Sequence, residues 1–165
     1  MSPIDWALLP LKKYADFSGR APRAEYWWYA LLMFLIGMGA TVIESSLELT
    51  TILGAYALPS LLFSLATFVP TQTVQVRRLH DTGRSGYWAL PFAIFQLVII
   101  VAPDFAEPAF DDANPDWTML SVFLGLCLVA MIFAIFLLVF SVRAGDEGDN
   151  HFGPDPYAAT EPAIA

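Results

Sequence analysis

The sequence predicts an all-α integral membrane protein, a four-transmembrane-helix bundle with both termini in the cytoplasm. Three observations predict it. Hydrophobic residues make up 57% of the chain and charged residues 15%, against roughly 25% charged in a soluble domain, and mean hydropathy is +0.58. Four apolar runs follow one another, several near the roughly 20 residues that a bilayer core requires. The charges are sorted: Lys12, Lys13, Arg20, Arg23, Arg77, Arg78, Arg84 and Arg143 all fall in the N-terminal segment, the central segment or the tail, and the two remaining loops carry only acids. With four spans those three basic segments share one face, and the positive-inside rule makes that face cytoplasmic. A soluble bundle would need a polar face on each helix.

Residues 1–25 read as a cytoplasmic or interfacial lead-in. Trp6 beside Lys12 and Lys13 marks a short segment in the headgroup layer, and Pro10 argues against a long helix there. Tyr26, Trp27, Trp28 and Tyr29 form an aromatic belt at the mouth of the first span. The membrane domain, 26–142, holds spans at about 26–43, 52–76, 87–102 and 118–142, with a cytoplasmic Arg-rich loop at 77–86. The third span is short for a full crossing, at roughly 24 Å of helix. Gly37 with Thr41, Ser121 with Gly125, and Ala130 with Ala134 are small-residue pairs suited to close helix contact. The loop after span three carries Asp104, Glu107, Asp111, Asp112 and Asp116. Residues 143–165 form a Gly/Pro/Asp-rich cytoplasmic tail, with a turn cluster near Asn150–Pro156. A faint internal repeat matches Gly19-Arg20 before Tyr26-Trp27 to Gly83-Arg84 before Tyr87-Trp88.

The same residues exclude several functions. A net charge of −8 argues against nucleic acid. The single cysteine, Cys127, cannot form an internal disulfide. The first ten residues carry no cationic signal-peptide start, so the first span is expected to act as its own targeting signal. No H-E-x-x-H or G-x-S-x-G motif is present. His80 beside Asp81 makes a poor metal site, and Asp146–Asn150 lacks the alternating oxygen spacing of a calcium loop. No catalytic residue, metal or cofactor is therefore expected, and the chain reads as a non-enzyme.

Two constellations could carry function. Arg20, Arg23, Arg77, Arg78, His80 and Arg84 could converge into a basic cytoplasmic cap that binds an anionic lipid headgroup, a small anionic ligand or a partner protein. The competing reading is that these cations only set topology, with Glu25 and Asp81 each neutralising a neighbour. Along span two, Ser60, Ser64, Thr67, Thr71, Gln75 and Arg78 lie on one helical face, and Gln96 adds an amide in span three. This stripe could line a path in a small oligomeric transporter or channel. More often such a stripe is glue between helices, worth about 0.6 kcal/mol per hydrogen bond. Expected partners are membrane lipids, with a second copy or another membrane protein as further candidates.

Three motifs then carry a family resemblance: Phe17-Ser18-Gly19-Arg20-Ala21 with Arg23, Glu25, Tyr26 and Trp27; Arg77-Arg78-Leu79-His80-Asp81-Thr82-Gly83-Arg84-Ser85-Gly86-Tyr87-Trp88; and Asn150 with Phe152-Gly153-Pro154-Asp155-Pro156. Over about Tyr14–Pro156 the chain resembles the domain-of-unknown-function family numbered 805. The resemblance implies a small bacterial inner-membrane protein, a compact helical bundle and no known activity. His151 stands where that family often has a basic residue, and Asp146–Asp149 is more acidic than usual.

Overall fold

A computed structural model describes residues 1–47, 51–52, 56–101 and 116–158. Helices carry the fold: α1 (Pro3–Lys12), α2 (Arg23–Ser46), α3 (Leu58–Asp81), a 3₁₀ turn (Gly86–Ala89) leading into α4 (Leu90–Val101), and α5 (Trp117–Val142). Between α2 and α3, Thr51–Ile52 pairs antiparallel with Tyr56–Ala57. By length and composition α2 and α5 qualify as membrane spans, and Gly86–Ile100 is a shorter apolar helix. The stripe of hydroxyls and amides keeps α3 less apolar than its neighbours.

Several boundaries differ from the sequence reading, each for a local reason. Ser2 and Asp5 form a reciprocal capping box that starts α1, a motif that satisfies two orphan backbone donors. Pro10 sits near the end of α1 and is tolerated there. α1 packs along the first half of α2, where Pro3, Ile4 and Ala7 meet Trp28, Leu31 and Leu35. Ile52 is in the small ladder, so the second helix starts later, at Leu58. Its first turn is capped from α2: the Glu44 carboxylate accepts from Ser60 N at 2.6 Å and Ser60 Oγ at 2.5 Å. That bond closes the α2–α3 hairpin at its far end.

The largest departure is at the other end of α3. The helix runs on through Arg77 and Arg78 to Asp81, so these arginines belong to its last turns and not to a loop. It stops in a Schellman arrangement, with Arg84 N donating to Leu79 O at 2.9 Å and Gly83 N to His80 O at 3.1 Å. Gly83 takes φ +67, the left-handed conformation that glycine adopts at least cost.

α3 is the hub, touching α1, α2, α4, α5 and the 3₁₀ turn. Its buried residues crowd into the C-terminal half, at Thr73, Val74, Gln75, Arg77, Arg78, Leu79 and Asp81. Two apolar clusters flank that half, Leu79 with Ala89, Leu137 and Phe140, and Val74 with Ala21 and Tyr29. Gly37 faces Phe63 of α3, and Ala130 is buried on α5, whereas Gly125 meets no side chain within 4 Å. Most of α5 is exposed and apolar, as a lipid-facing helix should be. Asp116 caps α5 through Thr118 N and Met119 N. The acidic residues Asp104, Glu107, Asp111 and Asp112 lie outside the described residues.

Pro70, inside α3, has no N–H to offer the carbonyl of Ala66 one turn back. The Tyr14 hydroxyl takes that place, donating to Ala66 O at 2.8 Å. Thr73 Oγ1 donates in return to Tyr14 O at 3.0 Å. Tyr14→Phe should therefore lower stability by about 0.5–1.5 kcal/mol, the net worth of one hydrogen bond. In a Pro70→Ala background the same change should have a smaller effect, because the helix then supplies its own donor. Thermal unfolding of the four forms in detergent checks both.

Candidate functional site: a charged cap at one end of the bundle

The last turns of α3, the lead into α2, the end of α5 and the tail meet at one end of the molecule. Five charged side chains are buried there. Arg77 and Arg78 are 0% exposed, Glu25 1%, Asp81 2% and Arg20 7%. Asp81 is the pivot: one carboxylate oxygen takes Arg20 Nε at 2.9 Å, and the other takes Arg78 Nη1. Arg77 Nη2 meets Glu25 Oε1 at 2.6 Å. These are the three ion pairs among the described residues. Adjacent arginines on α3 thus serve different helices, Arg77 holding α2 and Arg78 holding α5 and the tail.

Backbone carbonyls complete the shell. Arg20 donates to Gly148 O and Asp146 O, both at 2.5 Å. Arg78 donates to Ser141 O at 3.2 Å and to Arg143 O. The carbonyls at the end of α5 lack helical partners, so Arg78 satisfies them while they satisfy it. Gly145 lets the chain pass Asp81, because a Cβ there would fall on its carboxylate. Arg77 is less complete: its Nε and Nη1, and Gln75 Nε2, meet no protein acceptor. Buried water normally serves such groups.

His80 and the tail close the cap. The His80 ring stacks on Phe152 at 4.0 Å between centroids, and Nδ1 lies 3.1 Å from Gly19 O. A carbonyl only accepts, so Nδ1 carries the proton in this contact. Asn150 Nδ2 donates to His80 O at 2.9 Å and to Asp146 Oδ2 at 3.1 Å, and Asn150 pairs with Gly153 in a tight bridge. The tail motif is thereby docked on the central motif. Hydrogen bonds from Tyr157 N first, then Gly148 N, hold the Asp155 carboxyl below its usual pKa.

The six residues expected to gather as an anion site therefore divide. Arg20, Arg23 and Arg78 line one hollow of about 170 Å³, together with Asp81, Asp146, Glu147, Asp155 and Tyr157. Arg77 and His80 point elsewhere in the cap and are engaged by Glu25, Gly19 and Phe152. Arg84 is exposed on the rim, over the Phe140 ring at 5.1 Å, with Arg143 over the same ring at 5.7 Å. Gly19 and Gly83 both take positive φ, but Arg20 is buried and Arg84 exposed, so the faint repeat does not extend to their roles. Sequence reading set each acid against one of these arginines; Asp81 does take Arg78, three residues away, while its second partner Arg20 is 61 residues away and Glu25 and Arg77 are 52 apart.

The stripe on α3 is largely engaged between helices. Thr71 shares a hydrogen bond with the Tyr29 hydroxyl at 3.0 Å, and Gln75 Oε1 accepts from Tyr26 at 2.9 Å. Thr67 Oγ1 turns back to Phe63 O at 2.7 Å. Gln96 pairs with Gln72, which the stripe did not include, at 2.7 Å. Ser64, Thr67, Thr71, Gln72 and Gln96 line a hollow of about 150 Å³ between α3 and α4.

Asp81→Asn should lower stability by about 3–5 kcal/mol, because two buried guanidiniums then lose their shared counter-ion. Arg84→Gln, on the rim, should change it by no more than about 1 kcal/mol. Thermal midpoints of the purified proteins separate the two cases.

Comparison with known proteins places this geometry. A family model described as "Protein of unknown function (DUF805)" matches residues 14–154, from the tyrosine that answers Pro70 to the turn that docks on His80. The inner membrane protein YhaI of Escherichia coli is 35% identical over 155 residues, spanning 93% of this chain and 96% of that protein. Inner membrane protein YhaH of the same organism is 30% identical over 153 residues, 93% and 97% of the two chains. The uncharacterized protein YiiR is 28% identical over 145 residues, 85% of each. No solved structure matches. With its helices, its apolar surface and a match across nearly its whole length, this chain belongs to the DUF805 family of bacterial inner membrane proteins.

Proposed function

We propose that this protein is a non-enzymatic four-span module of the inner membrane, with both termini cytoplasmic, whose cap seats a phosphate-bearing lipid headgroup. One observation carries the reading. Arg23, at the mouth of the 170 Å³ hollow, is exposed and has no carboxylate within ion-pair distance among the described residues. Its single hydrogen bond among the described residues is a long one, Nη1 to Val142 O at 3.4 Å. Behind it, Arg20 and Arg78 fix the wall. A guanidinium with free donors beside a pre-formed hollow suits a phosphate. Trp27 and Trp28, one turn along α2, are both exposed, and exposed tryptophans favour the headgroup level.

Four spans follow if α3 and α4 cross beside α2 and α5. α3, at 24 residues, is about 36 Å long. α4 with its 3₁₀ turn is shorter and would thin the bilayer locally. All eight basic residues would then gather at the cytoplasmic end. The interhelical bonds of Thr71, Gln75 and Gln96 favour the glue reading of the stripe over the transporter reading.

Two measurements test this. In a background with Cys127 replaced by alanine, a cysteine at Ser46 should react with an impermeant thiol reagent from the periplasmic side and one at Ser85 should not; the reverse pattern would overturn the orientation. Released from lipid nanodiscs into a native mass spectrometer, the wild type should hold a defined phospholipid. Arg23→Gln should hold about tenfold less, the effect of one charge-assisted hydrogen-bonding group. Equal retention would remove the headgroup seat.

A further inference from the structure

We propose that the cap selects a zwitterionic phosphoethanolamine lipid headgroup over an anionic one, a refinement that rests on the reading of the cap as a headgroup seat. The hollow is of mixed sign. Its lining holds three guanidiniums, Arg20, Arg23 and Arg78, and four carboxylates, Asp81, Asp146, Glu147 and Asp155. A site built for an anion alone would not place four carboxylates on its wall.

Most of those charges are already committed. Every side-chain nitrogen of Arg20 and Arg78 donates within the protein. Asp81 divides its oxygens between them. Asp155 accepts from Gly148 N at 3.0 Å and Tyr157 N at 2.9 Å. Asp146 accepts from Asn150 at 3.1 Å. Two exposed groups of opposite sign are left facing one hollow, the Arg23 guanidinium and the Glu147 carboxylate, and neither is in an ion pair among the described residues.

A ligand that satisfies both carries a phosphate and an ammonium in one headgroup. Arg23 takes the phosphate oxygens and Glu147 the ammonium, with the remaining acids adding negative potential on that side. The cation is a primary ammonium rather than a quaternary one. Three N–H donors are matched by carboxylate oxygens, whereas quaternary ammonium recognition uses an aromatic cage, and Tyr157 is the single aromatic residue on this lining. The ligand is a lipid rather than a free metabolite, because the hollow lies where α2 begins and α5 ends, and Trp27, one turn along α2, is exposed near it and donates to Ser141 O at 3.3 Å.

The test uses the full-length protein in nanodiscs of equal parts phosphatidylethanolamine, phosphatidylglycerol and phosphatidylcholine, with retained lipid counted by native mass spectrometry. The wild type should retain phosphatidylethanolamine over each of the others by about tenfold, the effect of one added charge-assisted contact. Glu147→Gln should bring that ratio toward one without loss of total lipid, and Arg23→Gln should lower all three together. Both positions are exposed, so the fold survives either change. A wild type that prefers phosphatidylglycerol, or a ratio unmoved by Glu147→Gln, overturns the selectivity. If retention still falls in Arg23→Gln, the headgroup seat stands without it; if neither variant alters retention, both readings fall. Free O-phosphoethanolamine captured more tightly than the lipid would overturn the lipid assignment.

Discussion

Buried charge is the constraint on which the cap depends. Five ionised side chains withdrawn from water would each be strongly unfavourable alone, and one carboxylate left with two guanidiniums still leaves the group cationic. The protein balances it with backbone. The carbonyls of Ser141, Arg143, Asp146 and Gly148 are all drawn toward Arg20 and Arg78. The tail must therefore follow α5 back across α3, and Gly145 must be bare where it passes Asp81. A chain that has met these conditions has little freedom in how its three basic segments are arranged. Such pairs add little net stability over an apolar core; what they do here is fix which segment meets which.

That division of labour separates the two halves of the bundle. At the capped end, α3 is buried and polar contacts are dense. Toward the other end the described helices are exposed and apolar, and the α2–α3 hairpin is held by the Glu44–Ser60 clasp and the short ladder beyond it. Tyr14 joins the regimes. It sits at the foot of α1 and supplies the hydrogen bond that Pro70 withholds, so a proline in mid-helix is met by a residue from another element. Kinked helices in membranes are commonly repaired in this way by neighbouring groups.

Much of the architecture was legible in the sequence. The apolar runs marked the helices. The shortness of the helix after Tyr87 was visible from its length alone. The central motif misled because polarity was taken for exposure. Arg77-Arg78 follows Val76 directly, and in a membrane protein such a pair usually ends a span. Here the helix continues, since Arg77 finds Glu25, 52 residues away, and Arg78 finds Asp81 one turn on. No local signal encodes the Arg77–Glu25 or the Arg20–Asp81 pairing. Glu25 and Asp81 each stand near arginines in sequence, and proximity in sequence pointed to the wrong partner for Glu25. The hydroxyl stripe was readable as periodicity, but its partners Tyr26 and Tyr29 were read only as an interfacial belt, because an aromatic pair beside a span serves either purpose.

The arginines consequently divide into two groups. Arg20, Arg77 and Arg78 are withdrawn from the surface and form the framework of the cap. Lys12, Arg23, Arg84 and Arg143 stay exposed. A mutation that neutralises one of the first three acts on folding, and its phenotype says nothing about ligands. Only the second group reports on recognition. Within that group Arg23 alone faces a hollow, across from a carboxylate that the fold does not use, and this makes Arg23 and Glu147 the pair at which a function separable from stability can be sought.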